Sequence, residues 1–332
     1  MEKKRIVLAH GGGGVLTREL VEEIIVPSIG GSVSALPDAA RVPGAEDLYF
    51  TTDSFVVKPL FFNGGNIGSL SIHGTVNDLA VSGAEPVAVS FSLIIEEGLE
   101  MDTLRRIVES AGRAAAECSV SIITGDTKVV ARGDADQLFV NTAGIGIRRH
   151  DMGNLGIKEG DAVLINGPIA EHGIAVMSRR KGIDFDIEIE SDSAPVWPYV
   201  KALLDGGVDI HAMRDPTRGG VAATLVELSG DHGVTTELYE DNIPVRAEVR
   251  AACEMLGLDP LSVANEGKLL VFVSASDAEK ALEILRATSG GENAEIIGRA
   301  VKRRAVSVFL KTCFGGERVV EMPYGEELPR IC

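Results

Sequence analysis

The sequence has few aromatic residues and no long apolar run. Aromatics make up 5% of the 332 residues, and Trp197 is the only tryptophan, so the core must be mostly aliphatic. No stretch reaches the roughly 18 apolar residues that a membrane span requires, and the apolar run in the first nine residues is too short for a signal peptide. These absences predict a soluble, cytoplasmic protein with no membrane partner.

Basic residues are scarce relative to acidic ones. The chain has 32 Lys and Arg against 49 Asp and Glu, a formal net charge of −17. Such a surface repels nucleic acid and anionic lipid, which argues against any protein that tracks a phosphate backbone. A small nucleotide could still bind through backbone amides and magnesium.

Cysteine is also rare. None of the four cysteines forms a CxxC pair, so neither a zinc ribbon nor a redox motif is indicated. Cys118 and Cys253 lie among apolar or alanine-rich neighbours, as inert core thiols do. Cys332 differs from them because it is the last residue of the chain.

Glycine, in contrast, is abundant. Its 38 residues exceed the usual share of about 7%, which predicts several loops lined by backbone. His10–Gly14 suggests phosphate binding at a helix N-terminus, but it matches neither a P-loop nor GxGxxG, and a flexible loop is the alternative. In Asp215-Pro-Thr-Arg-Gly-Gly220, two glycines at a helix mouth and Arg218 favour anion binding, with a tight turn as the alternative.

Strands and helices are mixed along the chain without a fixed repeat, which predicts an α/β or α+β protein of about two domains. The patterns predict a strand at Ile6–Ala9, a helix at Thr17–Val26 and a long strand at Gln137–Ile147. The stretch from Gly315 to Cys332 has no periodicity, which indicates an extended, mobile tail with a reach on the order of 50 Å.

Acidic and amide side chains stand at the ends of predicted elements. Asp53 and Asp126 each follow a strand, and Asn77 and Asp78 lie near the end of a helix. Each aspartate alone could simply begin a turn. Together, beside glycine-rich segments, they favour Mg²⁺ held jointly with substrate phosphates.

Two further residues could take part in chemistry. Lys128 follows Asp126 by two positions and could neutralise transferring charge or accept a proton; alternatively it is a solvated surface lysine. Glu266 precedes a strand beside a glycine, where it could be a buried acid–base group or a turn carboxylate.

These segments occur in an order that resembles the HypE family of hydrogenase expression/formation proteins, within the aminoimidazole-ribonucleotide-synthetase-like (PurM-like) ATP-binding superfamily. The resemblance spans nearly the whole chain. The matching motifs are Thr52-Asp53-Ser54, His73-Gly-Thr-Val-Asn-Asp-Leu-Ala80, Gly125-Asp-Thr-Lys-Val129, Asp215-Pro-Thr-Arg-Gly-Gly220, Asn265-Glu-Gly267 and Pro329-Arg-Ile-Cys332. The most specific of them are Gly125-Asp-Thr-Lys-Val129 and Pro329-Arg-Ile-Cys332.

The resemblance implies a two-domain PurM-like α/β (α+β) fold with mixed sheets. It divides the chain into a glycine-rich segment at 1–37, an ATP-binding and dimerisation domain at 38–150, a second domain at 151–312 and a flexible tail at 313–332. It also implies an ATP-dependent carbamoyl dehydratase that converts an S-carbamoyl group on Cys332 to a thiocyanate, the source of the cyanide ligand of [NiFe]-hydrogenases. The implied partners are a HypF-type carbamoyltransferase, a HypC–HypD complex and a second copy of the chain.

The same resemblance implies roles for single residues. Lys128 and Glu266 would lie near the thiocarbamate beside Cys332, and which of the two is the base is left open. Asp53, Asp78 and Asp126 would hold magnesium. The residues implied in ATP binding are Asp53, Asn77, Asp78, Asp126, Thr127, Arg218, Gly219 and Gly220. Two alternatives stay open: another enzyme of the superfamily, such as a selenophosphate synthetase or a purine-pathway ligase, and a nucleotide-binding scaffold or metallochaperone.

Overall fold

The computed structural model describes residues 6–12, 14–28, 38–152, 156–182, 188–324 and 330–332. Much of the predicted segment 1–37, and Pro329 in the predicted tail, lie outside the described residues. Among the described helices, none combines the length and the apolar character that a bilayer crossing requires. The predicted domain boundaries stay predictions.

The first described residues, from position 6 onward, include helical turns and no strand. Leu8–Gly11 forms a 3-10 turn, so the predicted strand at Ile6–Ala9 was wrong. In the described part of the chain no strand pairs with this run, and an isolated apolar segment cannot form a sheet by itself. The predicted helix at Thr17–Val26 is confirmed as α1 (Val15–Leu20), a π-helical turn (Val21–Ile25) and α2 (Val26–Ser28).

The N-terminal domain is built on a mixed seven-stranded sheet. Its main path runs β1-β2-β9-β5-β7, and β6 pairs with both β9 and β8. The strands are β1 (Ala40–Val42), β2 (Ala45–Phe55), β5 (Ala84–Ser90), β6 (Ser92–Glu96), β7 (Ser121–Thr124), β8 (Thr127–Val130) and β9 (Leu138–Arg148); a separate hairpin joins β3 (Phe61–Phe62) to β4 (Gly65–Asn66), and the helices are α3 (Ile67–Val81) and α4 (Met101–Glu117).

Helix α3 is buried on nearly all sides, because it lies between the N-terminal sheet and the C-terminal domain. Its start is capped by Asn66, whose Oδ1 accepts hydrogen bonds from the amides of Gly68 at 2.8 Å and Ser69 at 3.3 Å. A Cβ at Gly68 would lie 2.2 Å from the carbonyl oxygen of Ile107, so glycine allows α4 to pack closely. The C-terminal end of this buried helix carries Asn77 and Asp78 into the centre of the molecule.

Because His73 on α3 is buried, we expect the protein to lose stability in mild acid. Burial lowers its pKa to about 4, below the ordinary value of about 6.5. Between these values the unfolded chain binds a proton and the folded chain does not, so stability falls as the pH drops. From pH 7 to pH 4, we expect the wild type to lose about 3 kcal/mol more than His73→Asn. Urea unfolding at both pH values measures this, with His10→Asn as control; equal losses in wild type and His73→Asn would contradict it.

The C-terminal domain is also a helix-covered sheet, with strand order β11-β13-β10-β14-β12-β15-β16. Its strands are β10 (Ala162–Ile165), β11 (Ile210–Arg214), β12 (Thr235–Tyr239), β13 (Leu270–Val273), β14 (Glu295–Val301), β15 (Val308–Lys311) and β16 (Glu317–Val320). Its helices are α5 (Glu171–Lys181), α6 (Trp197–Asp205), α7 (Gly220–Asp231), α8 (Ala247–Leu256) and α9 (Ala278–Ala287). The predicted mixture of strands and helices is confirmed.

The end of the chain is partly ordered. The unpredicted strand β16 pairs with β15, so any tether begins after Val320 and not at Gly315. Twelve steps from there to Cys332 shorten the reach to roughly 40 Å. The last residues return to the N-terminal domain, where Cys332 O accepts from the amide of Val56 at 3.1 Å and Arg330 O from that of Lys58 at 3.3 Å.

Candidate functional site

A cluster of carboxylates lies between the two domains. One oxygen from each of Asp38, Asp78 and Asp215 lies within 4.8 Å of the others, a spacing suited to a shared cation. Asp78 comes from α3, Asp215 follows β11, and Asp38 precedes β1. Asp53 on β2 joins them, because its side chain hydrogen-bonds that of Asp78. The structure therefore brings two of the three predicted magnesium ligands together.

Hydrogen bonds hold Asp78 within the cluster. The hydroxyl of Thr51 lies 2.8 Å from both the backbone oxygen of Asp38 and Oδ2 of Asp78, and it donates to these two acceptors. The side chain of Asp78 also hydrogen-bonds that of Asp53. Thr51 on β2 thus fixes the carboxyl group of Asp78 against Asp38.

The pKa values of the cluster follow from its crowding. Burial raises the pKa of Asp53, Asp78 and Asp215, and the negative charges of neighbouring carboxylates raise each of them further. The pKa of Asp215 reaches about 8. Arg214 offsets part of this charge through its ion pair with Asp38. An all-oxygen donor set with excess negative charge fits a hard divalent cation such as Mg²⁺.

The chain terminus faces this cluster through Arg218. The charge of Cys332 is the largest cause of the raised pKa of Arg218. Burial of the guanidinium opposes this shift, whereas the negative charges of Asp53 and Glu266 add to it. Arg218 also donates from Nη1 to the carbonyl oxygen of Gly11 at 3.2 Å, which places the glycine-rich N-terminal loop at the same site. Predicted residues from five distant parts of the sequence thus meet here.

Glu266 is a buried acid with an open oxygen. It is 3% exposed, and its Oε1 has no hydrogen-bond partner among the described residues. Burial, followed by the charges of Asp215 and Asp192, raises its pKa well above the ordinary value, whereas Arg218 opposes the shift. A buried carboxyl group with a free oxygen and a raised pKa is suited to proton transfer.

Asn77 holds the backbone around Glu266. Its Nδ2 donates to the carbonyl oxygens of Ala194 at 3.0 Å and Glu266 at 3.2 Å, and its Oδ1 accepts from the amide of Val196 at 2.8 Å. Both polar atoms of the Asn77 side chain therefore form hydrogen bonds with the C-terminal domain, and in this structure Asn77 joins the two domains.

Gly219 and Gly220 form the turn into α7. Their φ angles are +77° and +62°, in the left-handed region that other residues rarely adopt. A Cβ at Gly220 would lie 2.5 Å from the carbonyl oxygen of Leu261 and 2.6 Å from that of Val263. These glycines therefore allow a close backbone approach, which positions Arg218 just before them.

This packing predicts opposite effects for two glycines of the same helix. Gly220→Ala should lower the free energy of unfolding by roughly 2 kcal/mol or more, because the new methyl group meets backbone at a strained φ. Gly230→Ala should raise it by up to about 1 kcal/mol, since a Cβ there meets nothing within 4 Å. Denaturant unfolding compares them, and similar values for the two variants would refute the prediction.

Three predicted site residues lie away from the carboxylate cluster of the same chain. They are Asp126, Thr127 and Lys128. Lys128 Nζ and Asp126 Oδ2 form an exposed ion pair at 2.6 Å, and the amide of Thr127 donates to Asp126 Oδ1 at 2.9 Å. Asp126 lies directly before β8, and the sheet order from there to β2 is β8–β6–β9–β2. Asp126 is therefore three strand spacings, roughly 14 Å, from β2 across the sheet. The predicted joint magnesium set of Asp53, Asp78 and Asp126 is thus not assembled by a single chain.

Sequence reasoning missed three parts of the site. Asp38 was not identified, and no strand or glycine motif marked it. Asp215 was recognised within its motif but was not predicted as a metal ligand. Residues 188–196 were not noticed at all, although Asp192 Oδ1 accepts from the amide of Glu266 at 3.2 Å.

The fold and the site define a class of protein. Residues 30–148 match the N-terminal domain model of the AIR synthase related proteins, and residues 158–311 match the C-terminal domain model. The chain is therefore a two-domain protein of the AIR synthase related class, and the predicted PurM-like fold is confirmed.

Individual relatives narrow this class. Carbamoyl dehydratase HypE of Rhizobium leguminosarum bv. viciae is 48% identical over 99% of this chain and 95% of its own length. The crystal structure of a HypE–HypF complex matches at 44% identity and a TM-score of 0.86, covering 92% of this chain and 99% of that one. A HypE structure in complex with ATP matches at 42% identity and a TM-score of 0.83, covering 99% and 100%. The chain belongs to the HypE family of carbamoyl dehydratases.

Proposed function

We propose that this chain uses ATP to dehydrate an S-carbamoyl group on Cys332 to a thiocyanate, the source of the cyanide ligand of [NiFe]-hydrogenases. The observation that carries the proposal is the position of the terminus. Cys332 is half-buried against the N-terminal core, and its charge acts on Arg218, which also interacts with Asp53 and Glu266. A terminal cysteine at the edge of a carboxylate cluster has the placement that a tethered substrate needs.

The chemistry proceeds in two balanced steps. First, the carbamoyl oxygen attacks the γ-phosphorus of ATP, ADP leaves, and one proton leaves the nitrogen to give an S-bound imidate phosphate. Second, the carbon–oxygen bond breaks, phosphate departs and the other nitrogen proton is removed, which leaves S–C≡N. Phosphorylation is needed because an amide oxygen is a poor leaving group.

The residues around Cys332 suit these steps. Glu266, with its free Oε1, can take a proton from the nitrogen in a site that excludes water. Arg218 provides positive charge near the transferring phosphoryl group. Asp38, Asp78 and Asp215 would hold magnesium, with Asp53 beside them; Mg²⁺ supplies positive charge that offsets the charge of the phosphates.

A homodimer would explain the exposed position of Asp126 and Lys128. They lie in an edge region that also exposes Ile94, Ile123 and Val129 by 43%, 64% and 68%. Such apolar exposure on a sheet favours contact with a second copy. In the dimer, Asp126, Thr127 and Lys128 would face the partner, where Lys128 could act on the thiocarbamate and Asp126 on the magnesium–phosphate group.

The remaining partners are those that the resemblance to the HypE family implies. A HypF-type carbamoyltransferase loads Cys332, and a HypC–HypD complex accepts the cyanide, all in the cytoplasm. The HypE–HypF complex among the solved relatives supports the first of these pairings.

The test is a mass measurement on the tail. Cys332 is carbamoylated by the partner enzyme, MgATP is added, and the C-terminal peptide is weighed. Loss of one water from the modified peptide supports the proposal. ATP hydrolysis with an unchanged tail mass would point to another acceptor, and no hydrolysis would point to a nucleotide-binding scaffold; either outcome refutes the proposal.

A further inference from the structure

We propose that His172 is a positioning residue that seats the C-terminal tail and connects it to Glu266. This inference rests on the proposed function for its catalytic consequence. The seating itself can be measured without activity.

The tail is held by its side chains and its backbone. Ile331 is 2% exposed within the apolar cluster that includes Phe62. Arg330 donates to the carbonyl oxygen of Val56 at 2.8 Å and to Asp136 Oδ2 at 2.6 Å. Arg180 donates to the carbonyl oxygen of Arg330 at 2.6 Å. The structure thus contains a formed receptor for this chain end.

His172 hydrogen-bonds the backbone of the tail at Ile331. The ring is fully buried, and its Nε2 lies 2.9 Å from the carbonyl oxygen of Ile331. A carbonyl oxygen only accepts hydrogen bonds, so Nε2 carries the hydrogen. Burial lowers the pKa of His172, which favours the neutral ring, and Nδ1 then accepts from the hydroxyl of Ser191 at 2.8 Å. Both nitrogens have assigned and different roles.

The segment from Ser191 continues to Glu266. Ser191 Oγ accepts from the amide of Ser193 at 3.1 Å, and Asp192 Oδ1 accepts from the amide of Glu266 at 3.2 Å. The neighbouring Gly267 fits closely, because a Cβ there would lie 2.0 Å from the carbonyl oxygen of Asp192. Hydrogen bonds, together with the covalent backbone link from Ser191 to Asp192, therefore join the tail carbonyl to the backbone of the proposed acid–base residue.

Two conservative substitutions separate the two functions of the ring. Glutamine places its amide nitrogen near the position of Nε2, so His172→Gln keeps the bond to Ile331 and loses the bond to Ser191. Asparagine places its oxygen near the position of Nδ1, so His172→Asn keeps the bond to Ser191 and loses the tail. Ser178→Ala on the same helix is the matched control, since Ser178 is buried and its hydroxyl donates to the carbonyl oxygen of Ala175 in the same helix.

The seating of the tail is measured on the full chain without a carbamoyl group on Cys332. The protein is alkylated with a bulky maleimide, and the rate at each cysteine is determined from its separate peptide. Exposed Cys313 is the internal reference for half-buried Cys332. We expect His172→Asn to raise the Cys332:Cys313 rate ratio about tenfold, the effect of losing one buried hydrogen bond. His172→Gln and Ser178→Ala should leave this ratio within about twofold of wild type, a change too small for loss of such a bond.

The connection to Glu266 is measured by the rate of water loss from the carbamoylated tail at saturating MgATP. His172→Gln should slow this step about tenfold although its tail stays seated, because the segment at Ser191 has lost its partner. An alkylation ratio in His172→Asn equal to that of folded wild type would overturn the seating role, whether or not the chain is a dehydratase. A wild-type dehydration rate in His172→Gln would overturn the connection.

Discussion

Replacement of Cys332 with alanine is expected to abolish tail modification completely while ATP binding stays at the wild-type level. The substitution removes only the terminal thiol, which is the group proposed to carry the carbamoyl unit. The backbone contact of residue 332 with Val56 survives, because it uses the carbonyl oxygen. Mass analysis of the loaded tail and calorimetry with MgATP measure the two quantities.

Cys313→Ala provides the control, since Cys313 is the exposed cysteine on the turn between β15 and β16. We expect it to load, dehydrate and bind ATP as the wild type does. A Cys332→Ala protein that still yields thiocyanate would refute the assignment of the substrate. A Cys332→Ala protein that no longer binds ATP would show instead that the terminus is part of the nucleotide site.

Glu266→Gln is expected to slow dehydration by a factor of roughly 10² to 10⁴, the usual contribution of a positioned acid–base group. Glutamine has the same shape, so the backbone bonds of residue 266 to Asn77 and Asp192 remain. What is lost is the ability to take a proton at Oε1. The single-turnover rate of the carbamoylated protein measures the effect.

Glu171→Gln is the matched control for this substitution. Glu171 is also a buried glutamate, but its two oxygens are ion-paired, with Arg246 at 2.8 Å and Lys268 at 3.5 Å. Its substitution should change the dehydration rate far less than Glu266→Gln does. If Glu266→Gln retained the wild-type rate while Lys128→Ala lost it, Lys128 would be the base.

Several parts of this structure were predictable because they depend on local pattern. The long strand at Gln137–Ile147 is confirmed as β9, since period-two burial over many residues is unambiguous. The turn at Arg218 and its two glycines was recognisable because the positive φ of Gly219 and Gly220 requires glycine. The position of Cys332 as the final residue was visible directly.

Other parts depend on contacts between distant segments, which no local pattern reports. Asp38 enters the carboxylate cluster through its ion pair with Arg214, far along the chain. The segment around Asp192 has no regular secondary structure, so neither periodicity nor propensity marked it. Strand β16 was missed because four residues near a proline give too short an alternation to distinguish a strand from a loop.

The seating of Cys332 beside the carboxylate cluster makes enzyme and reactant one molecule. The local concentration of the carbamoyl group is then fixed by the tether and not by the solution, so dilution should leave the dehydration step unchanged over the range in which the proposed dimer stays intact. Saturation kinetics apply to ATP alone, since the other reactant has no free form. One chain processes one group for each loading event, and the output of cyanide is therefore set by how often the partner proteins visit.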